Sequence, residues 1–249
     1  MFHVVAWGQS IDPAGVLSPL DAIPETQLFS SGDDIRVPVF LPGLIGAAAL
    51  INDASAARAQ LQAPSLRVLT NLDIEPIVNA ATFGEPAEVL FHPESIIPLD
   101  PDEALQFHVQ SDPAAPAQHF GLVWLADGPQ LPVEGRMFSV RATTTIQQSN
   151  TAWVNGQMVL GQTLPAGQYQ IVGLRSRSAD LVAARLVFTE QTSRPGVPAV
   201  NVISDEDVRS FRHGRTGVFG VFPNTIPPTV DVLGGVAASQ VHILDLIRL

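Results

Sequence analysis

Six histidines are the side chains in this 249-residue sequence most suited to metal chemistry, and they are widely scattered. Cupin-type sites hold their metal with a close His-x-His pair, a Glu and a further His, and no His-x-His pair occurs here. His92, His108 and His119 lie on neighbouring predicted strands, where they can converge in space to bind a metal. The alternative, which the spacing favours, is that they face solvent from their strands.

Two groups of acidic residues offer oxygen ligands for a hard cation. Asp33 and Asp34 form one group, and Asp100, Asp102 and Glu103 form the other. Carboxylates in loops suit Ca²⁺, although neither group has the spacing of an EF-hand. Loop acids are more often simply solvated, so we expect no cofactor, with a structural calcium ion at these residues as the exception to test.

A basic cluster near the C-terminus contains Arg209, Arg212, His213 and Arg215. A short helix is predicted to begin at Ser204, a natural N-cap, with three acids at the positive end of its dipole. Arg209, Arg212 and His213 lie near its negative end, and Gly214 closes it. The cluster can stabilise the helix end, contact an acidic neighbouring subunit or touch nucleic acid. We assign it as a candidate subunit contact.

Composition excludes several kinds of catalysis. The chain has no Cys, and all thirteen basic residues are Arg, so thiol nucleophiles, Schiff-base lysines and P-loops are ruled out. Ser10 lacks the second Gly of a G-x-S-x-G nucleophile turn. One Tyr and three Trp weaken a sugar-platform or base-stacking interpretation. A glycosidase with two catalytic carboxylates from distant strands stays an alternative, but the absence of the other catalytic motifs favours a protein that is not an enzyme.

The acidic residues are concentrated in the first half of the chain. Residues 1–125 contain 3 Arg and 15 Asp and Glu, giving −12, whereas residues 126–249 contain 10 Arg and 9 acids, giving +1. The first half should therefore repel nucleic acid. The turn-rich stretch Asp127–Pro132 is the best boundary, and it predicts two units, 1–126 and 127–249.

Alternation of apolar and polar residues predicts many short strands. Residues 105–110 are an example, with one apolar and one polar face. Gln168–Leu174 and Leu181–Phe188 are predicted to form a β-hairpin around a short polar turn. The other predicted strands are Phe2–Trp7, Ile35–Phe40, Leu66–Ile74, Glu88–His92, His119–Leu125, Met137–Ile146, Ala152–Leu160, Val197–Ile203, Val218–Phe222, Thr229–Leu233 and Val241–Leu249.

One longer helix is predicted over Gly43–Gln62, because this stretch contains seven alanines and Pro64 follows it. The N-terminus has no basic segment of a secretory signal, and the apolar run Phe40–Ile51 is shorter than the roughly 20 residues of a membrane-spanning helix. Many short strands with Pro- and Gly-rich turns predict an all-β fold. We expect tandem (double) jelly-roll β-sandwich barrels with one or two short helices.

The second half resembles a known family of structural proteins. The segments that carry the likeness are FSVRATTT, NTAWVNGQMVL, LPAGQYQIVGLRSRSADLVAARLVF, RPGVPAV, RTGVFGVFPNTIPPTVDVL and VHILDLIRL. Their rhythm is similar to that of jelly-roll major capsid proteins of tailless icosahedral bacteriophages, in the double jelly-roll lineage. The likeness covers roughly residues 137–249 and includes no catalytic motif.

The resemblance implies a subunit that self-assembles into an icosahedral shell, as trimers with a pseudo-sixfold outline. Its partners would be copies of itself and other capsid proteins, in a virion assembled in the host cytoplasm. The sequence lacks the basic N-terminal arm with which many capsid proteins bind their genome, so direct genome binding is not expected. A membrane or a minor protein beneath the shell is the alternative. The alternatives are a carbohydrate- or receptor-binding β-sandwich, such as a phage spike or lectin-like module, and a jelly-roll enzyme with dispersed residues.

Overall fold

The computed structural model of the protein describes residues 1–51, 57–68, 71–74, 77–78, 90–199 and 216–249. These residues form twenty-one strands and one short 3-10 helix, Leu66–Val68. The prediction of an all-β protein built from sandwich-like sheets is confirmed.

The first half contributes twelve strands to two sheets. They are β1 (Phe2–Ile11), β2 (Ser18–Pro19), β3 (Ser30–Ser31), β4 (Asp34–Arg36), β5 (Gly43–Ile51), β6 (Arg58–Gln62), β7 (Leu72–Ile74), β8 (Ile77–Val78), β9 (Leu90–Phe91), β10 (Ile97–Pro98), β11 (Ala104–Gln110) and β12 (Ala117–Ala126). Sheet 1 has the order β1-β12-β5-β10, and β8 and β9 also pair with β5. Sheet 2 has the order β3-β4-β11-β6-β7, and β2 also pairs with β11.

The second half contributes nine strands to two further sheets. They are β13 (Met137–Thr145), β14 (Val154–Gly156), β15 (Val159–Leu160), β16 (Gln168–Arg177), β17 (Leu181–Val187), β18 (Gly196–Pro198), β19 (Gly220–Pro223), β20 (Thr229–Gly234) and β21 (Ser239–Arg248). Sheet 3 has the order β15-β13-β21-β16-β19, and sheet 4 has the order β14-β20-β17-β18.

The two halves use the same pairing order. In the first half, β1, β4, β5, β6, β7, β10, β11 and β12 can be numbered one to eight along the chain. Sheet 1 then has the order 1-8-3-6 and sheet 2 the order 2-7-4-5. In the second half, β13, β14 and β16 to β21 give the same two orders in sheets 3 and 4. The described strands outside these sets of eight are β2, β3, β8, β9 and β15, and each has two residues.

Strands with a polar face were predicted well. On β11, Leu105, Phe107 and Val109 are buried, while the polar residues between them are half-buried. On β13, Val140 and Ala142 are buried and alternate with exposed residues. Periodicity of two identifies such strands because one face meets the core and the other meets water.

The predicted helix over residues 43–62 is wrong. Gly43–Ile51 is the strand β5, which lies inside sheet 1 and is buried along its whole length, and Arg58–Gln62 is the strand β6 of sheet 2. Ala47 and Ala49 face one apolar cluster, and Ala48 faces the other. Helix propensity is a weak preference, and pairing with β12 together with burial of both faces overrides it.

The predicted hairpin over residues 168–188 is also wrong in its pairing, although both strands exist. The strand β16 pairs with β21 and β19 in sheet 3, whereas β17 pairs with β20 and β18 in sheet 4. The chain changes sheets at the polar turn, where Asp180 has a positive φ of 57° and its carbonyl accepts a hydrogen bond from the Gly235 N–H. A tight turn therefore joins two layers here.

Sheet 1 separates two apolar clusters. One face of β1, with Val5 and Trp7, packs against sheet 2, and the other face, with Phe2 and Val4, packs against the second half. The ring centroids of Phe2 and Phe219 are 5.0 Å apart across this contact. The four sheets divide between the halves, but the second cluster runs continuously across them. The division into units 1–126 and 127–249 stays a prediction.

Candidate functional site

A buried arginine connects the two halves. Arg185 lies on β17, and its side chain is 2% exposed. Its Nε donates to Asp231 Oδ2 at 3.0 Å, and its Nη1 donates to the Val4 carbonyl at 3.0 Å and to a carboxylate oxygen of Glu25. Its guanidinium carbon lies 4.1 Å from the centroid of the Trp153 ring. One side chain thus joins sheet 4 to β1 and to the loop that contains Glu25.

The protonation of this cluster follows from its contacts. Burial lowers the pKa of His3, and this outweighs the opposing effect of Glu25. His3 is therefore neutral. Its Nδ1 accepts the Arg194 N–H at 3.0 Å, so Nε2 carries the proton and donates to Glu25 at 3.1 Å. Burial would raise the pKa of Glu25, but His3 and Arg185 hold it below its ordinary value, so the carboxyl is ionised.

The cluster also covers an open strand edge. β1 is at the edge of sheet 1, and an uncovered edge is a template for unwanted pairing. The Val4 N–H donates to the Arg194 carbonyl, and the Val4 carbonyl accepts from Arg185. Further along the strand, the Ala6 carbonyl accepts from the Ile23 N–H. The second half and a first-half loop thus share the cover of this edge.

The sequence prediction missed this cluster. An arginine inside the apolar segment LVAARLVF is a signal, because a buried guanidinium needs carboxylate partners. The partners themselves were not identifiable: Glu25 and Asp231 are 160 and 46 residues away from Arg185.

The outer face of sheet 2 is polar, with amides and carboxylates together with His108 and the cations Arg36 and Arg58. Gln106 on β11 donates to Asp34 at 2.9 Å and to Asp33 at 3.2 Å. Further across the sheet, Gln60 donates to Asp73 at 3.2 Å, and Asp73 also pairs with Arg58 at 2.7 Å. This surface, which we call the sheet 2 face, is polar and carries charges of both signs.

The outer face of sheet 3 combines arginines with aliphatic side chains. Ile243 lies directly between Arg141 and Arg175 in the strand register, and Val241 lies between Thr143 and Arg177. Arg141 and Arg177 are exposed, and neither has an acidic partner among the described residues. We call this surface the sheet 3 face.

An ion pair is set into the sheet 3 face. Asp245 is 1% exposed and pairs with Arg175 at 3.1 Å. It also accepts a hydrogen bond from the Ser139 hydroxyl at 2.5 Å. Two exposed apolar side chains border the face, Val159 at 67% and Val221 at 46% exposed. The face is basic, and part of its area is apolar.

The histidines predicted as a possible metal site do not meet. His108 lies on the sheet 2 face, and burial lowers its pKa. His119 lies on β12 of the other sheet, fully buried, with contacts of 2.7 Å to the Ser111 hydroxyl and to the Ala117 carbonyl. His92 is exposed. The expectation that they face solvent is wrong for His119, because strands inside sheet 1 are buried on both faces.

The predicted calcium ligands lie along one side of the first half. Asp33 and Asp34 bind Gln106, as described above. Glu103 is buried, and its carboxylate accepts hydrogen bonds from the Ser65 N–H at 2.8 Å and the Asp100 N–H at 2.9 Å. Within the described ranges, no group of three metal-ligating side chains converges. Calcium binding stays a prediction, and a calcium titration followed by thermal unfolding tests it directly.

The predicted subunit contact at Arg209, Arg212, His213 and Arg215 lies outside the described residues, as does the helix predicted at Ser204. These assignments stay predictions.

A groove of about 780 Å³ lies beside β19. Phe188, Phe222 and Ile226 form part of its apolar wall, and Gln191 and Glu190 add polar groups. It is a candidate binding site for a sugar or a peptide.

In the part of the chain that the structure describes, no helix is long and apolar enough to span a bilayer. No protein-family model, curated protein or solved structure matches this chain.

Proposed function

We propose that this protein is a structural subunit of a viral shell, a major capsid protein with one jelly-roll barrel in each half. The observation that carries the proposal is the strand order 1-8-3-6 and 2-7-4-5, which occurs twice along the chain. Eight strands in two sheets with Greek-key connections define a jelly roll, an architecture common in capsid subunits.

The packing of the halves supports a rigid building block. Sheet 1 is buried on both faces, and one apolar cluster continues from it into sheets 3 and 4. Arg185 and its carboxylate partners fix the relative position of the halves through directional bonds. The chain also contains 21 Pro, which restrict the connectors. A shell subunit benefits from such stiffness, because small errors in its shape accumulate over many copies.

The partners in this proposal are other copies of the chain, arranged as trimers with a pseudo-sixfold outline, together with other capsid proteins. A membrane or a minor protein lies beneath the shell, and the genome is not bound directly. The protein then resides in the virion, and its role is not enzymatic.

Solution mass tests the proposal. Light scattering of the purified full chain should give about three times the 26.5 kDa chain mass, about 80 kDa, or larger particles. Negative-stain images should show compact triangular or hexagonal outlines. A chain that stays monomeric at all concentrations and ionic strengths contradicts the proposal.

The groove beside β19 favours a second candidate, a carbohydrate- or receptor-binding sandwich. Its wall combines apolar side chains with the polar groups of Gln191 and Glu190, as binding pockets for small ligands commonly do. Ile226 is 54% exposed at its wall, so Ile226→Arg should abolish glycan-array binding if this candidate is correct. Glycan binding by a wild-type monomer, lost in this variant, would favour the second candidate over the first.

A further inference from the structure

Among the described residues, the halves make one sheet-on-sheet contact, and no described element covers the outer face of sheet 2 or of sheet 3. Sheet 1, of order 1-8-3-6, packs against sheet 4, of order 2-7-4-5. The sheet 3 face belongs to a sheet of order 1-8-3-6, and the sheet 2 face to a sheet of order 2-7-4-5. Sheets 3 and 2 therefore have the same two strand orders as sheets 1 and 4, which pack together within the chain.

The two faces have net charges of opposite sign, although each carries both kinds of charge. The sheet 3 face has Arg141, Arg175 and Arg177 against Asp245, around a row of aliphatic side chains. The sheet 2 face has Asp33, Asp34 and Asp73 against Arg36 and Arg58, so its net negative charge is smaller. Arginine forms two-pronged bonds with carboxylates, so Arg141 and Arg177, which have no acidic partner among the described residues, can pair with Asp33 and Asp34.

The size of the sheet 3 face suits a contact at the low end of specific interfaces. Its five strands contain 9, 2, 10, 4 and 10 residues in chain order, 35 in all. Strand spacing of about 4.8 Å and a rise of about 3.4 Å per residue then give a face of about 570 Å². Standard interfaces bury about 800 Å² per partner and weak ones less than about 600 Å², so we expect a contact that depends on protein concentration.

We infer that the sheet 3 face of one copy docks on the sheet 2 face of a second copy. This inference rests on the proposed function and names the surfaces of its subunit contact. The contact is head-to-tail, so each copy gives one face and receives the other, and repetition can close into a ring. Three copies contribute six sandwiches, and every boundary in the ring then joins a 1-8-3-6 sheet to a 2-7-4-5 sheet.

Charge reversal tests the contact. The sheet 3 variant carries R141E and R177E, and the sheet 2 variant carries D33R and D34R. Each variant places like charges at the contact. The protein concentration at which half of the chains are assembled, the assembly midpoint, should therefore rise at least about tenfold. The chain carrying all four substitutions restores opposite charges and should assemble again. Glu94→Arg, at an exposed loop residue outside both faces, changes charge in the same direction as D33R and should assemble like wild type.

The mixture of the two variants gives a sharper outcome. A ring of three cannot alternate two kinds of chain, so the mixture should form pairs and even-numbered complexes but no closed trimer. Assembly of both variants at the wild-type midpoint overturns the inference. In that case the proposed function stands, since the wild type still assembles; a monomeric wild type would instead contradict the proposed function itself.

Disulfide trapping gives a measurement that does not depend on the folding of multiply substituted chains. The natural sequence has no Cys, so single cysteines are unambiguous. T143C on the sheet 3 face and Q62C on the sheet 2 face should cross-link to each other in an oxidised mixture. Cross-links of T143C to itself, in preference to Q62C, would show a symmetric contact and contradict the inference.

Discussion

Removal of the Arg185 guanidinium is the perturbation with the largest expected cost at the contact between the halves. Arg185→Met keeps much of the side-chain volume and removes the bonds to Asp231, Glu25 and the Val4 carbonyl. Glu25 is 2% exposed and Asp231 is 12% exposed, so both carboxylates stay buried after their cation has gone. Their charge is then uncompensated.

The uncompensated charge of the two buried carboxylates determines how much the free energy of unfolding falls. Breaking a buried ion pair by removing one partner costs about 3–5 kcal/mol. For a protein of this size, each kcal/mol lowers the melting temperature by about 2–4 °C, so we expect a decrease of about 6–20 °C. Glu25→Gln in the Arg185→Met background removes one of the two stranded charges. The double variant should therefore recover part of the lost stability.

Urea unfolding at pH 7 and fixed protein concentration measures these differences, since assembly makes stability depend on concentration. Arg67→Met is the matched control, because Arg67 is exposed and makes no described ion pair. It should change the free energy of unfolding by less than about 0.5 kcal/mol. The reasoning is refuted if Arg185→Met costs less than about 1 kcal/mol, or if Glu25→Gln makes it worse.

Three further changes probe single contacts. Burial lowers the pKa of His242 from 6.5 to about 4. The stability that depends on this side chain being neutral is therefore complete above about pH 6.5 and is lost as the pH falls towards 4. Urea titrations should show that the free energy of unfolding of His242→Gln varies less over this pH range, by about 3 kcal/mol. Gly121→Ala puts a Cβ 2.4 Å from the Phe107 ring, and chemical denaturation should show a loss of about 1–3 kcal/mol, whereas an unchanged midpoint contradicts the packing. Tyr169→Phe removes the 2.7 Å bond to the Pro165 carbonyl and should lower the melting temperature by about 1–6 °C.

Local pattern in the sequence predicted strands better than it predicted their partners. Alternation identified β11 and β13 because each has one wet face. The stretch 43–51 has no alternation, since both faces of β5 are buried, and its alanines favoured a helix instead. Small side chains are useful inside sheet 1 because they allow close packing on both sides, a tertiary demand that local propensity does not contain.

The sequence could not predict which distant strands and side chains pair, and the reason is physical. The turn between β16 and β17 is short enough for a hairpin, but each strand finds two partners in a different sheet. The buried cluster around Arg185 likewise joins residues far apart in the chain. A lone arginine in an apolar strand predicts that carboxylate partners exist, but the fold decides which ones they are.

We propose that two halves of identical strand order form a rigid block, which tiles with copies of itself. Electron cryomicroscopy of the assembled protein is the decisive measurement. Maps should show capsomers of three chains with six sandwiches around a common axis, and density for β13 and β21 of one chain facing β11 of the next. A map with isolated chains, or with symmetric contacts through other surfaces, contradicts the proposal.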